Sequence, residues 1–451
     1  MTTTKKKKEE GVLDLASQDA LQKQFMKERA NRVLSSALSR TALSTVSFVP
    51  ASVKDVNPAF SVEVKTMSVT NQRASGRCWI FAGLNFLREI IAKKLNLSNF
   101  ELSQNYISLF DKIEKANFAL ESVLSLADRP NDDRVLAFIL NDPVSDGGQW
   151  DMLVNLVEKY GLLPKSAFPE TYQSENTRET DFMCNCRIRA FAALAHKLVK
   201  EGKLKEAREE KEKAMKDIYN MFIAAFGIPP KTFDFAYTDK KDKYHVEMGL
   251  TPLEFKKKYI GKEMSLYQSL INSPTDDKPY NKNFTIDYLG NVIEGKRINH
   301  LNVTMKRMKE AIIAQLKGGF PVWFGSDVSF YRDRDSFAWD DNAYDYVSGL
   351  NFKPDFDKGD MLDFKASAMN HAMLIVGVDL VDGKPTRWKI ENSWGKTGGL
   401  DGYYVMSDSW FEKFVYQAVV KKDLLTEKEM AATKKEPTHL PPWDPMGTLA
   451  D

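Results

Sequence analysis

Cysteine is nearly missing from this chain. Cys78, Cys184 and Cys186 are the three among 451 residues. A sparse, odd set of cysteines is not a disulfide framework. Cys184-Asn185-Cys186 does not read as a metal site either: positions i and i+2 of a helix point apart, and no histidine or further cysteine stands beside them. No metal and no cofactor is expected. An excess of charge of one sign is also missing. Lys plus Arg is 64 and Asp plus Glu is 62, so net charge selects neither nucleic acid nor an anionic membrane as a partner. No apolar run approaches the ~18 residues of a membrane helix. Residues 1–10, Met-Thr-Thr-Thr-Lys-Lys-Lys-Lys-Glu-Glu, lead into no signal-peptide core, so a cytoplasmic protein without membrane contact is expected. Lys5 to Lys8 read as a solvated chain end in preference to a nucleic-acid contact or nuclear address.

What remains is an ordinary globular composition, 43% hydrophobic and 28% charged, with length for two or three domains or one core with large insertions. Residues 15–40 have amphipathic helical spacing. Residues 78–93 are apolar nearly all round, which predicts a buried helix. Helices are expected over 101–142 and 149–164, and a long charged helical region over 181–224 closes at Pro229-Pro230. The Asp-, Lys-, Pro- and Asn-rich stretch 231–300 reads as irregular structure with short helices. After residue 300 a helix over 304–317 is followed by strand-like runs at 321–324, 372–378, 387–390, 402–406 and 415–420, with a turn at Asp382-Gly383. Helices first and antiparallel strands second predict an α+β fold.

The chemistry concentrates in a few residues. In Gln72-Arg73-Ala74-Ser75-Gly76-Arg77-Cys78-Trp79, a cysteine follows a glycine turn and opens the buried helix. A helix N-terminus carries about half a positive charge and, with an imidazolium, can bring a thiol to about 3.5–7.5. The Gln72 amide can donate to a developing oxyanion. Of the five histidines, His371 alone stands at the mouth of an apolar strand. Twenty-one residues on, Glu391-Asn392-Ser393-Trp394-Gly395 ends another strand. Asn392 can hold one imidazole nitrogen so that the other faces the thiol, and Trp394 can shield that bond from water. A cysteine-dependent acyl transferase would use the same chemistry, and a ring-forming nucleic-acid-binding protein with secondary peptidase activity is a further alternative.

These residues, in this order, resemble the papain-like cysteine peptidases. The resemblance implies Cys78 as nucleophile, His371 as base and acid, Asn392 as orienter and Gln72 as oxyanion donor. It also implies Gly147-Gly148 as the loop that pairs with extended substrate. Cys78 and His371 are 293 positions apart, against about 130–150 in the simple enzymes, so roughly 150 residues are inserted. Secreted relatives carry a disulfide cysteine where Ser75 stands here, which fits a reducing compartment. The segments 146–152, 322–328 and 442–447 narrow the resemblance to the bleomycin hydrolase / aminopeptidase C family. That family implies a two-lobed fold: an N-terminal arm (1–60), a helical lobe with the nucleophile (61–175), a helical or hook insertion (176–300) and a β-rich lobe (301–435). A C-terminal arm (436–451) completes it, lying in the cleft. The expected activity is release of N-terminal residues from peptides, with hydrolysis of bleomycin-type amides also open to it. The expected assembly is a homohexamer. In this reading the arm's terminal carboxylate, that of Asp451 or, if the last residue is trimmed, that of Ala450, meets the substrate ammonium. Those two residues, Gly147, Gly148 and Trp394 are the expected substrate contacts.

Overall fold

The computed structural model describes residues 11–54, 56–329, 331–332, 336–350, 352 and 356–450. Lys5 to Lys8 and Asp451 lie outside the described residues. The chain divides into two compact units, one of residues 1–54 with 342–355 and one of residues 55–341 with 356–451. The smaller is helical. Where one amphipathic stretch is expected over 15–40 there are two helices, Leu15–Lys27 and Arg29–Leu38, because Glu28 leaves helical geometry at ψ 121°. Neither helix contains a buried residue. Phe48 pairs with Tyr344 in an antiparallel bridge, ring on ring at 5.8 Å.

In the larger unit the helix Cys78–Leu95 buries thirteen of its eighteen residues and stops where Asn96 turns left-handed, at φ 54°. Burial on every side makes it a rigid mount for its first residue. The stretch 101–142 is two helices, Gln104–Ser125 and Arg134–Asn141, interrupted around Pro130. Trp150–Tyr160 ends at Gly161, which has positive φ. The charged region is an antiparallel hairpin of Arg178–Lys200 and Leu204–Phe226, turned at Gly202 and tied by Arg187 to Asp217 at 2.9 Å.

Among the described residues one sheet of eleven strands runs through this unit. Its centre is His371–Val381, antiparallel to Val322–Ser326 on one side and to Lys384–Glu391 on the other. Val415–Lys421 and then Tyr267–Ile271 extend it. Two strands of the sheet, Tyr267–Ile271 and Asn283–Ile286, come from the stretch expected to be irregular and a third, His300–Asn302, starts at its end, so the sheet crosses the boundary expected at residue 300. They are short and buried on both faces, which removes the alternation that signals a strand. A polar cluster links them to the neighbouring strand: Ser269 Oγ meets His300 Nδ1 at 2.8 Å and accepts from Gln417 Nε2 at 2.8 Å. The same stretch holds a separate ribbon of Phe233–Thr238 and Tyr244–Leu250.

The described tail, up to Ala450, is packed, not loose. Thr438–Leu440 adds to the sheet edge parallel to Asn283–Ile286. Leu440, Met446, Leu449 and Ala450 are buried.

Candidate active site

Three elements converge at one end of the central sheet. Cys78 opens its helix directly after Arg77, which makes no side-chain cap bond. His371 is the first residue of its strand and pairs with Ser326. Glu391 pairs with Leu374, so Asn392 leaves its strand at the same end as His371. The N–H of Ala372 donates to Cys78 Sγ at 3.4 Å, which sets the thiol against the residue after the histidine. His371 Nε2 donates to Asn392 Oδ1 at 2.9 Å, leaving Nδ1 for the thiol. Asn392 Oδ1 is itself fixed by the Ser393 N–H at 2.7 Å. Trp394 stacks on the imidazole at 4.8 Å and 24°, which keeps water from the ring, and Arg332 lies over the Trp394 ring at 4.9 Å.

The electrostatics differ from the sequence expectation. Burial pushes the Cys78 thiol up to about 11, and the backbone N–H groups of Ala372, Trp79 and Cys78 offset only part of that rise. Burial also pushes His371 down to about 4, against the Asn392 hydrogen bond that raises it. Desolvation thus outweighs the helix terminus and disfavours either charge standing alone. A thiolate beside an imidazolium carries no net charge, so proton transfer within the pair is the ionisation that burial penalises least.

Gln72 is buried beside this group. Its Nε2 donates to the Ser75 carbonyl at 2.7 Å, its Oε1 accepts from Ser393 Oγ at 2.6 Å, and its own N–H reaches the Ser393 carbonyl at 2.9 Å. One amide hydrogen is committed to Ser75, and an amide has two. Ser75 Oγ donates to the Gln72 carbonyl at 2.6 Å and accepts from Arg77 Nε at 2.9 Å, so a serine at this position does structural work.

The Gly147-Gly148 loop meets the chain end. Gly148 N–H donates to the Leu449 carbonyl at 3.0 Å and Ser145 Oγ donates to the Ala450 carbonyl at 2.5 Å. A β-carbon on Gly147 would stand 2.5 Å from the Leu449 oxygen, and one on Gly148 would stand 2.4 Å from the Trp79 ring. Close approach therefore demands both glycines, one for the tail and one for the indole. Further back, Thr448 Oγ1 donates to the Met369 carbonyl at 2.8 Å, buried Lys278 pairs with buried Asp444 at 2.9 Å, and Arg134 lies 3.7 Å from the Trp443 ring centre.

Sequence reasoning missed the support beneath the loop. Lys112, buried on the helix Gln104–Ser125, bridges Asp146 at 2.8 Å and Asp181 at 2.7 Å. Asp146 also accepts from the Gly76 N–H and Thr177 Oγ1, and its carbonyl accepts from Trp79 Nε1 at 2.7 Å. Although burial raises it, Lys112 and these hydrogen bonds hold the Asp146 carboxyl well below the usual carboxylate range. The position of Asp146 next to the two glycines was the available signal; nothing in the sequence around Lys112 marks it.

Comparison with known proteins agrees with this geometry. The family model described as the Peptidase C1-like family matches residues 12–447. The chain is 48% identical to aminopeptidase C of Lactobacillus delbrueckii subsp. lactis over 425 residues, 93% of this chain and 94% of the relative. It is 39% identical to bleomycin hydrolase of Homo sapiens over 393 residues, covering 85% and 86%. Among solved structures, PepW from Lactobacillus rhamnosis HN001 is similar with a TM-score of 0.94 and 42% identity, covering 97% of this chain and 99% of that one. Papain-like in fold and matched almost from end to end, the chain belongs to the Peptidase C1-like family, among the cysteine peptidases whose relatives are aminopeptidase C and bleomycin hydrolase.

Proposed function

We propose that this cysteine-type aminopeptidase removes single residues from the amino end of peptides, and that residues 448–451 set the cut. The Cys78 proton passes to His371 Nδ1 as sulfur attacks the first peptide carbonyl. The tetrahedral oxyanion takes hydrogen bonds from Gln72 Nε2 and the Cys78 N–H. His371 returns the proton to the leaving amine, the C–N bond breaks, and a thioester remains. Water, losing a proton to His371, then attacks the thioester, and Cys78 leaves with that proton.

One observation carries the reading of the cut: Leu449 already accepts from the Gly148 N–H at 3.0 Å. That backbone group is the natural partner of an extended substrate on the amino side of the scissile bond. With the arm in place, little chain fits beyond the first residue, and a carboxylate at the arm's end attracts the substrate ammonium. Deleting residues 448–451 is expected to replace one-residue products with longer fragments and internal cuts, read by mass spectrometry on a peptide panel. Unchanged one-residue products would sink the ruler.

A homohexamer in a reducing cytoplasm belongs to the same proposal. Leu15, Leu21, Phe25, Met26 and Val33 are exposed on two helices that bury nothing, a surface suited to another copy of the chain. Light scattering should give six times 51.3 kDa; a mass of one chain would refute it. No helix among the described residues is long and apolar enough to cross a membrane.

A further inference from the structure

Glu391 is a buried charge that the reaction as proposed does not use. Glu391, immediately before Asn392, is wholly buried on the strand Lys384–Glu391. Its Oε1 accepts from Arg88 Nη2 at 3.1 Å and from Asn85 Nδ2 at 3.0 Å. Both partners sit on the helix that Cys78 opens. Asn85 lies seven positions after Cys78, two helical turns along, and so on the same face. Asn85 Nδ2 also donates to Thr70 Oγ1 at 2.9 Å, and Arg88 Nη2 to the Met67 carbonyl at 3.4 Å. Thr70 and Met67 belong to the segment that runs into Gln72, and the Thr70 carbonyl accepts from the Gly395 N–H at 3.0 Å. A single carboxylate therefore ties together the helix of the thiol, the strand of Asn392 and the approach to Gln72. A charge buried this deeply is retained only with its partners in place.

We propose that Glu391 is a positioning residue for the peptidase reaction, clamping through Arg88 and Asn85 the relative placement of Cys78, Asn392 and Gln72. The inference rests on the proposed roles of those three residues. It separates Glu391 from a general contribution to the core, because the carboxylate joins the three elements that must hold reacting groups within a fraction of an ångström, where a misplacement of about 1 Å can cost 10²-fold. Burial pushes the Glu391 carboxyl up to about 7, helped by Glu89; Arg88 and hydrogen bonds from Thr66 and Asn85 oppose the rise. The other titratable groups facing it are Glu89, which pairs with Arg88 at 3.5 Å, and Tyr403, whose hydroxyl meets Thr66 Oγ1 at 3.0 Å. A carboxylate with a raised pKa is neutral below it and charged above it. The clamp is therefore complete on the alkaline side of about 7, and kcat should climb as Glu391 ionises.

The test uses the full chain and Glu391→Gln, which keeps shape and the Oε1 acceptor but removes the charge. The expected result is a kcat lower by about tenfold or more, a KM within twofold, and loss of the kcat limb near pH 7. The rate of Cys78 alkylation by iodoacetamide should fall in parallel, since it reports the same alignment without substrate. Glu429→Gln, which removes the charge of the buried partner in the Arg307–Glu429 pair (2.9 Å) on other elements, serves as the control and should leave kcat and alkylation unchanged. A folded Glu391→Gln enzyme with wild-type kcat, pH profile and alkylation rate would overturn the proposal. So would a Glu429→Gln enzyme that lost as much kcat at equal melting temperature. Should Glu391→Gln not fold, Arg88→Lys keeps the charge but loses the fork; wild-type kcat there would overturn the proposal equally. Activity surviving in Cys78→Ala would instead bring down the underlying assignment of the nucleophile, so the two failures are distinguishable.

Discussion

Cys78→Ala is expected to lower kcat by about 10⁶-fold, the scale of losing the nucleophile from a serine peptidase triad that works as a unit. It should do so without unfolding the chain. The sulfur's contact with the Ala372 N–H is long, at 3.4 Å, and the thiol is small. Removing it leaves Trp79, Ile80 and Phe81 buried as before. Stopped-time assays of residue release and a melting curve decide the matter together. Retention of more than a hundredth of wild-type activity by a folded variant would remove Cys78 from the reaction.

Gln72→Ala is the second large effect, a fall in kcat of ~10²–10³, or about 2.7–4 kcal/mol, the usual worth of one oxyanion donor. KM should move little, because the bond is made as charge develops and not to the resting carbonyl. The structure adds a complication: Ala at 72 also strips Ser393 Oγ of its acceptor at 2.6 Å. Ser393→Ala is therefore the companion variant. It leaves the Gln72 donor in place and should cost less than tenfold. A Gln72→Ala enzyme within threefold of wild type would contradict the oxyanion role, and equal losses in both variants would assign the effect to loop geometry.

Much of the site could be read before any fold was known, and the reason is local. Cys78 after a glycine turn, His371 at a strand mouth and Asn392-Ser393-Trp394-Gly395 are each legible within a few residues. The buried helix was legible because it is apolar all round. Three things were not. The strands Tyr267–Ile271, Asn283–Ile286 and His300–Asn302 are short, polar and buried on both faces, so neither alternation nor composition betrays them. Lys112, Asp181, Arg88 and Glu391 look in sequence like solvated charges; only tertiary contact shows Lys112 facing Asp181 and Arg88 facing Glu391. The upward push of burial on the thiol was hidden for the same reason. The helix terminus is a local feature, whereas desolvation depends on everything packed around Cys78.

The bond between Leu449 and Gly148 has a consequence for ligands as well as for products. A segment tethered in its own cleft acts as a competitor at an effective concentration that, for short connections, is of millimolar order. Any compound that needs the Gly148 N–H must displace that segment, together with its bonds to Ser145 and Met369. Extended peptide inhibitors built for papain-like clefts should bind this enzyme weakly in proportion to their reach past the first residue. Small electrophiles that stop at Cys78 should feel no such competition.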